Sequence, residues 1–190
     1  MKIVVIGMGY VGLPLALQFA KCGVTVVGLD IDSSKIEKLN SGLSYIKHIQ
    51  SEDIQKQVET GRFSASTNFS KVKECDAVII CVPTPLTPQR EPDISYIINT
   101  GKSIAPHLHK NILVVLESTT YPGTTDGELR KVLEDGSGLK AGVDFHLAFS
   151  PEREDPGNPN SKVYEIPKVV GGLTPQCLDR VTKLYSLAVK

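Results

Sequence analysis

A short apolar strand that runs straight into a glycine turn leaves few folds open to this chain. Lys2-Ile3-Val4-Val5-Ile6 is dominated by β-branched side chains, and Gly7, Gly9 and Gly12 follow at once in a G-x-G-x-x-G spacing. An apolar helical pattern comes next, with Val11, Leu15, Leu17, Phe19 and Ala20 available to pack on a sheet. A second apolar strand, Val24 to Leu29, then ends on Asp30. Strand, glycine turn, helix, strand and acid together are the context of a dinucleotide site, which three glycines alone would not establish. Gly7 permits the tight turn, Gly9 lets the backbone approach a pyrophosphate, and Gly12 lets the helix lie close to the strand. The amides of the turn, Tyr10 and Val11 included, then face the phosphates with the positive end of the helix dipole. Asp30 is placed to accept from the adenosine ribose hydroxyls, which favours NAD and repels the 2′-phosphate of NADP. No arginine stands beside Asp30 in Ile31-Asp32 to reverse that preference.

The 190 residues suit one domain, or one domain and the start of another. With 41% hydrophobic and 22% charged residues there is material for a full core. A formal net charge of zero gives no electrostatic reason to expect nucleic acid or an anionic membrane as partner. No apolar run approaches the roughly 20 residues that span a bilayer. Cys22, Cys75, Cys81 and Cys177 are scattered without C-x-x-C pairing, so no metal is expected and reduced thiols in a cytoplasm are the plain reading. Cys81, inside an apolar strand, reads as a small core residue rather than a nucleophile.

Further along, Ser33 is expected to cap a helix through Lys35, Ile36 and Leu39. Lys35 has two readings, a contact to the ribose or to the Asp30 carboxylate, and a solvated surface lysine. Ser44 to Ile49 reads as a loop, Glu52 to Thr60 as a short helix, and Phe63 to Thr67 as a strand. Ala77 to Val82 and Ile112 to Leu116 are continuous apolar runs, the pattern of strands buried on both faces of a parallel sheet. The first leads into Pro83-Thr84-Pro85-Leu86-Thr87-Pro88, where the prolines exclude helix. That loop is either a rigid connector or a wall of the cofactor site, to which Val82, Pro83 and Thr84 would belong. The second leads into the hydroxyl-rich stretch Glu117 to Thr125, and Glu128 to Leu133 is read as helix. His146 to Ser150, Val169-Val170 and a helix from Gln176 onward complete the reading. The alternation predicts an α/β chain, a Rossmann-like doubly wound parallel sheet with helices on both faces. Strand direction then gathers the loops at 83–88, 117–125 and 150–157 on the edge that carries the glycine turn.

Five stretches occur in order: Gly7 to Pro14, Cys81-Val82-Pro83-Thr84-Pro85, Glu117 to Thr124, Ser150-Pro151-Glu152-Arg153 and Pro167 to Gly172. Together they resemble the UDP-glucose/GDP-mannose dehydrogenase family over essentially the whole chain. The form Ser150-Pro151-Glu152-Arg153-x-x-Pro156-Gly157 is most similar to the branch that oxidises UDP-N-acetylhexosamines (UDP-GlcNAc or UDP-ManNAc). The resemblance implies oxidation of a nucleotide sugar's C6 alcohol to a carboxylate in two NAD-dependent hydride transfers, with a cysteine thiolate capturing the intermediate aldehyde. A carbonyl cannot release hydride until a nucleophile has made it tetrahedral. By resemblance Thr119 positions the hydrolytic water at the cofactor site and Glu152 assists proton transfer. Glu152, Arg153 and Lys168 would meet the UDP-sugar. The competing readings are a helix-capping threonine, a surface acid and a structural ion-pair arginine. The second acid of the UDP-glucose branch falls on Pro156, so its role does not carry over.

The family's Gly-Gly-His-Cys motif and its oxyanion lysine and asparagine have no counterpart here. The resemblance therefore implies that residues 1–190 are the NAD-binding Rossmann domain without the central and C-terminal UDP-sugar-binding domains, able to bind NAD but not to turn over alone. The longer protein is expected to be a homodimer. The chain by itself would be a monomer, or would associate through the apolar face left for the second domain. Two other functions share the first half of the pattern: a non-catalytic NAD-sensing Rossmann module, and a single-hydride dehydrogenase of the 3-hydroxyacid type.

Overall fold

A computed structural model describes residues 1–152 and 167–189. β1 (Lys2–Ile6), β2 (Thr25–Leu29), β3 (Phe63–Ser66), β4 (Ala77–Ile80), β5 (Leu113–Leu116), β6 (His146–Phe149) and β7 (Gly171–Gly172) form one sheet in the order β3-β2-β1-β4-β5-β6-β7. The pairs from β3 through β6 are all parallel. Order 3-2-1-4-5-6 reverses direction at β1, and the gap between β1 and β4 is the switch point where such sheets bind ligands.

The period of two along each strand divides the core. Ile3 and Val5 of β1 pack with α1 (Gly12–Lys21), α2 (Ser33–Asn40), α3 (Ser51–Glu59) and α6 (Pro175–Tyr185). Val4 and Ile6 point the other way, toward α4 (Ser95–Ile104) and α5 (Arg130–Ser137). β1, β4 and β5 are buried along nearly their whole length, as continuous apolar runs require when both faces are covered.

Four local expectations change. The last strand lies on Gly171–Gly172, not Val169-Val170, and it runs antiparallel to β6. A Cβ on Gly172 would stand 2.2 Å from the Leu178 amide nitrogen, so α6 packs on bare backbone that only glycine supplies. The cap of α2 is Asp32, whose carboxylate accepts from the Ser34 amide at 2.9 Å, rather than Ser33. Glu128 and Leu129, read as part of a regular helix through Leu133, belong to a π-helical turn, Thr124–Leu129, entered through Gly123 at φ +97°. Finally, α6 opens one residue earlier than read, with Pro175 in its first turn and Thr174 as cap.

His146, at the start of β6, is half-buried with its Nδ1 3.7 Å from the Cys177 Sγ. Burial, and then the charge of Arg180, push its pKa below the ordinary 6.5. The unfolded chain therefore binds this proton first, and the stability tied to neutral His146 is complete above pH 6.5 and lost as pH falls below it. Urea midpoints taken at pH 7.5 and 5.5 should differ less for His146→Gln than for the parent chain. An identical loss in both would exclude His146 as a contributor.

Candidate functional site

The carboxyl ends of β1, β2, β4, β5 and β6 converge on a cleft of about 740 Å³. Gly7, Gly9, Tyr10 and Val11 line one wall, Asp30 and Lys35 one end, Val82, Pro83 and Thr84 the opposite wall, and Ser118, Thr119 and Glu152 the far end. The gathering of strand-end loops anticipated from strand direction is therefore present, with residues 153–157 of the third loop outside the described residues.

The glycines of the turn have separate reasons. Gly7 takes φ +93°, and a Cβ there would come within 2.6 Å of the Cys81 carbonyl oxygen. A Cβ on Gly12 would sit 2.0 Å from the Gly7 carbonyl oxygen, because α1 starts directly against the turn. Gly9 differs, since among the described residues nothing beyond its two chain neighbours lies within 4 Å of its missing Cβ and the residue faces the cleft. α1 has neither a side-chain cap nor an acid in its first turn. Its leading amides are thus left for an anion, and the open space at Gly9 admits one closely, so the turn fits a dinucleotide pyrophosphate.

Asp30 is buried, and its carboxylate does more than wait for a ribose. Oδ2 accepts from the Met8 amide at 2.9 Å and Oδ1 from the Asp32 amide at 3.0 Å, so the acid also fixes the glycine turn to the end of β2. Lys35 donates to Oδ2 at 3.2 Å while lining the cleft, which decides between its two readings in favour of the carboxylate contact.

The opposite walls are tied together by a reciprocal pair of hydroxyls. Ser118 Oγ donates to the Val82 carbonyl at 2.8 Å, and Thr84 Oγ1 donates to the Thr119 carbonyl at 2.5 Å. The loop after β4 and the loop after β5 therefore hold each other in place, and Thr119 presents an exposed side chain from a fixed backbone.

Lys168, for which the resemblance implies a substrate contact, is not itself among the residues that line this cleft. Its ammonium is buried against Glu117 Oε1, with the two side chains 5% and 1% exposed, and it lies over the Tyr185 ring. Tyr185 donates to the other oxygen, Oε2. Burial pushes the Glu117 carboxyl upward against the pull of Lys168 and Tyr185. Burial and the Glu117 charge hold the Tyr185 hydroxyl well above its ordinary range, so it remains a neutral donor. Arg153 lies outside the described residues.

Sequence reasoning assigned no role to several cleft residues. Tyr96, Asn99, Thr100 and Ser103 line it from one side of α4, while Ile97, Gly101 and Ile104 are buried. Their i, i+3, i+4, i+7 spacing was a readable signal for a second, polar-facing side of that helix. Cys81 is both buried and cleft-lining, and no sequence pattern separates that from a core cysteine. Glu117, directly after an apolar run, gave no sign of its partners 51 and 68 residues away.

Comparisons with known proteins agree with this geometry. Residues 1–189 match the model of the UDP-glucose/GDP-mannose dehydrogenase family, NAD binding domain. A UDP-N-acetyl-D-glucosamine 6-dehydrogenase of Pseudomonas aeruginosa is 37% identical over 97% of this chain and 43% of its own length. A UDP-N-acetyl-D-mannosamine dehydrogenase of Pyrococcus horikoshii is 37% identical over 100% of this chain and 45% of its own. The crystal structure of an NDP-N-acetyl-D-galactosaminuronic acid dehydrogenase from Methanosarcina mazei superposes with a TM-score of 0.93 at 39% identity, covering 100% of this chain and 42% of that one. This chain thus spans less than half the length of these relatives. An arogenate dehydrogenase of Synechocystis, at 17% identity and a TM-score of 0.66, shares the fold alone.

Proposed function

From the premise that the chain belongs to the UDP-glucose/GDP-mannose dehydrogenase family as its NAD-binding domain, with NAD as cofactor, we propose that it is the cofactor half of a nucleotide-sugar 6-dehydrogenase acting on a UDP-N-acetylhexosamine. The observation that carries this is the single cleft joining the glycine turn and Asp30 to Thr119 and Glu152. The two curated relatives described above, both UDP-N-acetylhexosamine dehydrogenases, support the substrate class.

In this reading Gly7, Gly9, Tyr10, Val11 and Gly12 hold the pyrophosphate, and Asp30 with Lys35 holds the adenosine ribose. Val82, Pro83 and Thr84 wall the nicotinamide end. NAD supplies the acceptor for each hydride. Taking an alcohol to a carboxylate removes two hydrides, consumes one water and releases protons, so a base and a water-orienting group are required near the reacting carbon. Glu152, at the far end of the cleft, is the proton acceptor. Its partial burial keeps bulk water from competing for the proton. The Thr119 hydroxyl, on a backbone locked by Thr84 and Ser118, orients the water. Residues 1–190 make up the NAD-binding domain of a longer, homodimeric protein whose remaining part brings the thiolate nucleophile and most of the UDP-sugar site. Alone, this chain binds NAD without turning over.

Calorimetric titration of the chain with NAD, and separately with NADP, tests the cofactor half. NAD should bind at least roughly tenfold more tightly, about 1.4 kcal/mol, because Asp30 meets the 2′-phosphate of NADP. Equal affinity for both would remove Asp30 from the ribose site, and binding of neither would remove the cleft.

A further inference from the structure

The loop between α2 and α3 touches the glycine turn twice, and nothing in the reading above uses either contact. Tyr45 Oη donates to the Met8 carbonyl at 2.5 Å. Three residues on, the His48 ring stacks on Tyr10, with centroids 6.0 Å apart and planes inclined by 29°. Met8 and Tyr10 are the chain neighbours of Gly9, so the loop grips the turn on both sides of that glycine. The loop is itself anchored. Ile46 is buried in the core, Ser44 Oγ accepts from the Ile46 amide at 3.1 Å, and the Ser44 amide donates to Ser51 Oγ at 3.0 Å. The last of these ties the loop to the first residue of α3.

Met8 is already fixed on its other side. Its side chain is fully buried against Gly28, and its amide donates to Asp30 Oδ2 at 2.9 Å. Neither contact sets the peptide that follows. Flipping the Met8–Gly9 peptide changes chiefly the ψ of Met8 and the φ of Gly9, and glycine accepts φ of either sign. This peptide is trans, so its carbonyl and its N–H point in opposite directions. Gly9 lines the cleft, whereas Met8 and Tyr45 stand behind it. Holding the carbonyl back toward Tyr45 therefore turns the Gly9 N–H toward the cleft. A flipped peptide would place a carbonyl oxygen there, facing the phosphates. We propose that Tyr45 is a positioning residue for the cofactor, whose hydroxyl locks the Met8–Gly9 peptide so that the turn offers N–H rather than C=O to the pyrophosphate. The assignment rests on the reading that the glycine turn holds the pyrophosphate. Burial, and then the charges of Asp30 and Asp32, push the Tyr45 hydroxyl above its ordinary 10, so it stays a neutral donor.

Nitrogen-15 amide NMR titrations of the 190-residue chain with NAD, and separately with adenosine, which lacks the pyrophosphate, test this on the parent and on Tyr45→Phe. The phenylalanine keeps the ring and removes only the hydroxyl. Its Kd for NAD should rise roughly fivefold while its Kd for adenosine changes by less than about twofold, because one hydrogen bond at the phosphate end is lost. In the parent the Gly9 amide proton should move downfield with NAD and stay in place with adenosine. A purely structural Tyr45 would weaken both ligands in step with a lowered urea midpoint, or leave both unchanged, and either result overturns the inference. Should Tyr45→Phe not fold, the parent decides, and a Gly9 amide unmoved by NAD overturns it equally. A parent chain that binds no NAD removes the cofactor site and this role with it. A parent that binds NAD no better than Tyr45→Phe removes the role of Tyr45 alone.

Discussion

Replacing Gly12 with alanine should abolish NAD binding and destabilise the domain by about 3 kcal/mol or more, at the upper end of what overpacking costs. The added Cβ would stand 2.0 Å from the Gly7 carbonyl oxygen and 3.1 Å from its carbonyl carbon. Both are backbone atoms, so no rotamer change relieves the contact. Gly7 cannot retreat, because its amide is bonded to the Leu29 carbonyl at 2.7 Å and its Cα faces the Cys81 carbonyl. The helix must then move off β1, and α1 carries Leu13, Leu15, Ala16 and Phe19 into the core. Gly9→Ala is the informative contrast. Among the described residues no atom beyond its chain neighbours lies within 4 Å of that Cβ, so the fold should keep its parent urea midpoint while the methyl group occupies space expected for the phosphates. Calorimetry and urea denaturation of both variants check the pair. A Gly12→Ala protein of parent stability would refute the close packing, and a Gly9→Ala protein of parent affinity would refute the phosphate position.

Asp30→Ala should weaken NAD binding by roughly 1–3 kcal/mol, the cost of leaving polar partners without a charged acceptor. Two losses combine in that figure. The ribose hydroxyls lose their acceptor, and the Met8 amide, held at 2.9 Å by Oδ2, loses the anchor that shapes the glycine turn. The Asp32 amide at 3.0 Å and Lys35 at 3.2 Å are released as well, so the unfolding midpoint should fall too. Loss of the carboxylate also removes the repulsion toward a 2′-phosphate and frees the Lys35 ammonium to meet it, so the preference for NAD over NADP should narrow. Parallel titrations with the two dinucleotides measure this, and an unchanged NAD affinity would take Asp30 out of the site.

Much of the fold was legible in local sequence because burial on both faces of a parallel sheet writes itself as unbroken apolar runs. Ala77 to Ile80 and Leu113 to Leu116 are such runs, and they are strands. β7 was misplaced by two residues for a complementary reason. Val169 and Val170 have the higher strand propensity, but the approach of α6 requires a backbone without side chains at Gly172. At the site, Gly7, Gly9, Gly12 and Asp30 were readable since each answers to a requirement within some 30 residues of chain. Thr119 and Glu152 came from resemblance, and the structure brings both to the cleft that the glycines open.

By itself the sequence determined the order of strands and helices, the glycine turn that opens the cleft and the acid that stands at one end of it. Periodicity, turn chemistry and strand direction are all set by near neighbours. Only the tertiary structure decided the partners of charged groups. The resemblance implies a substrate contact for Lys168, and its ammonium is buried because Glu117, 51 residues earlier, stands at the end of β5. Lys35 reads as a surface lysine or a cofactor ligand, and it meets Asp30 because α2 folds back over the end of β2. Ionic pairing depends on distance through space and on the removal of water, and neither quantity is encoded in spacing along a chain.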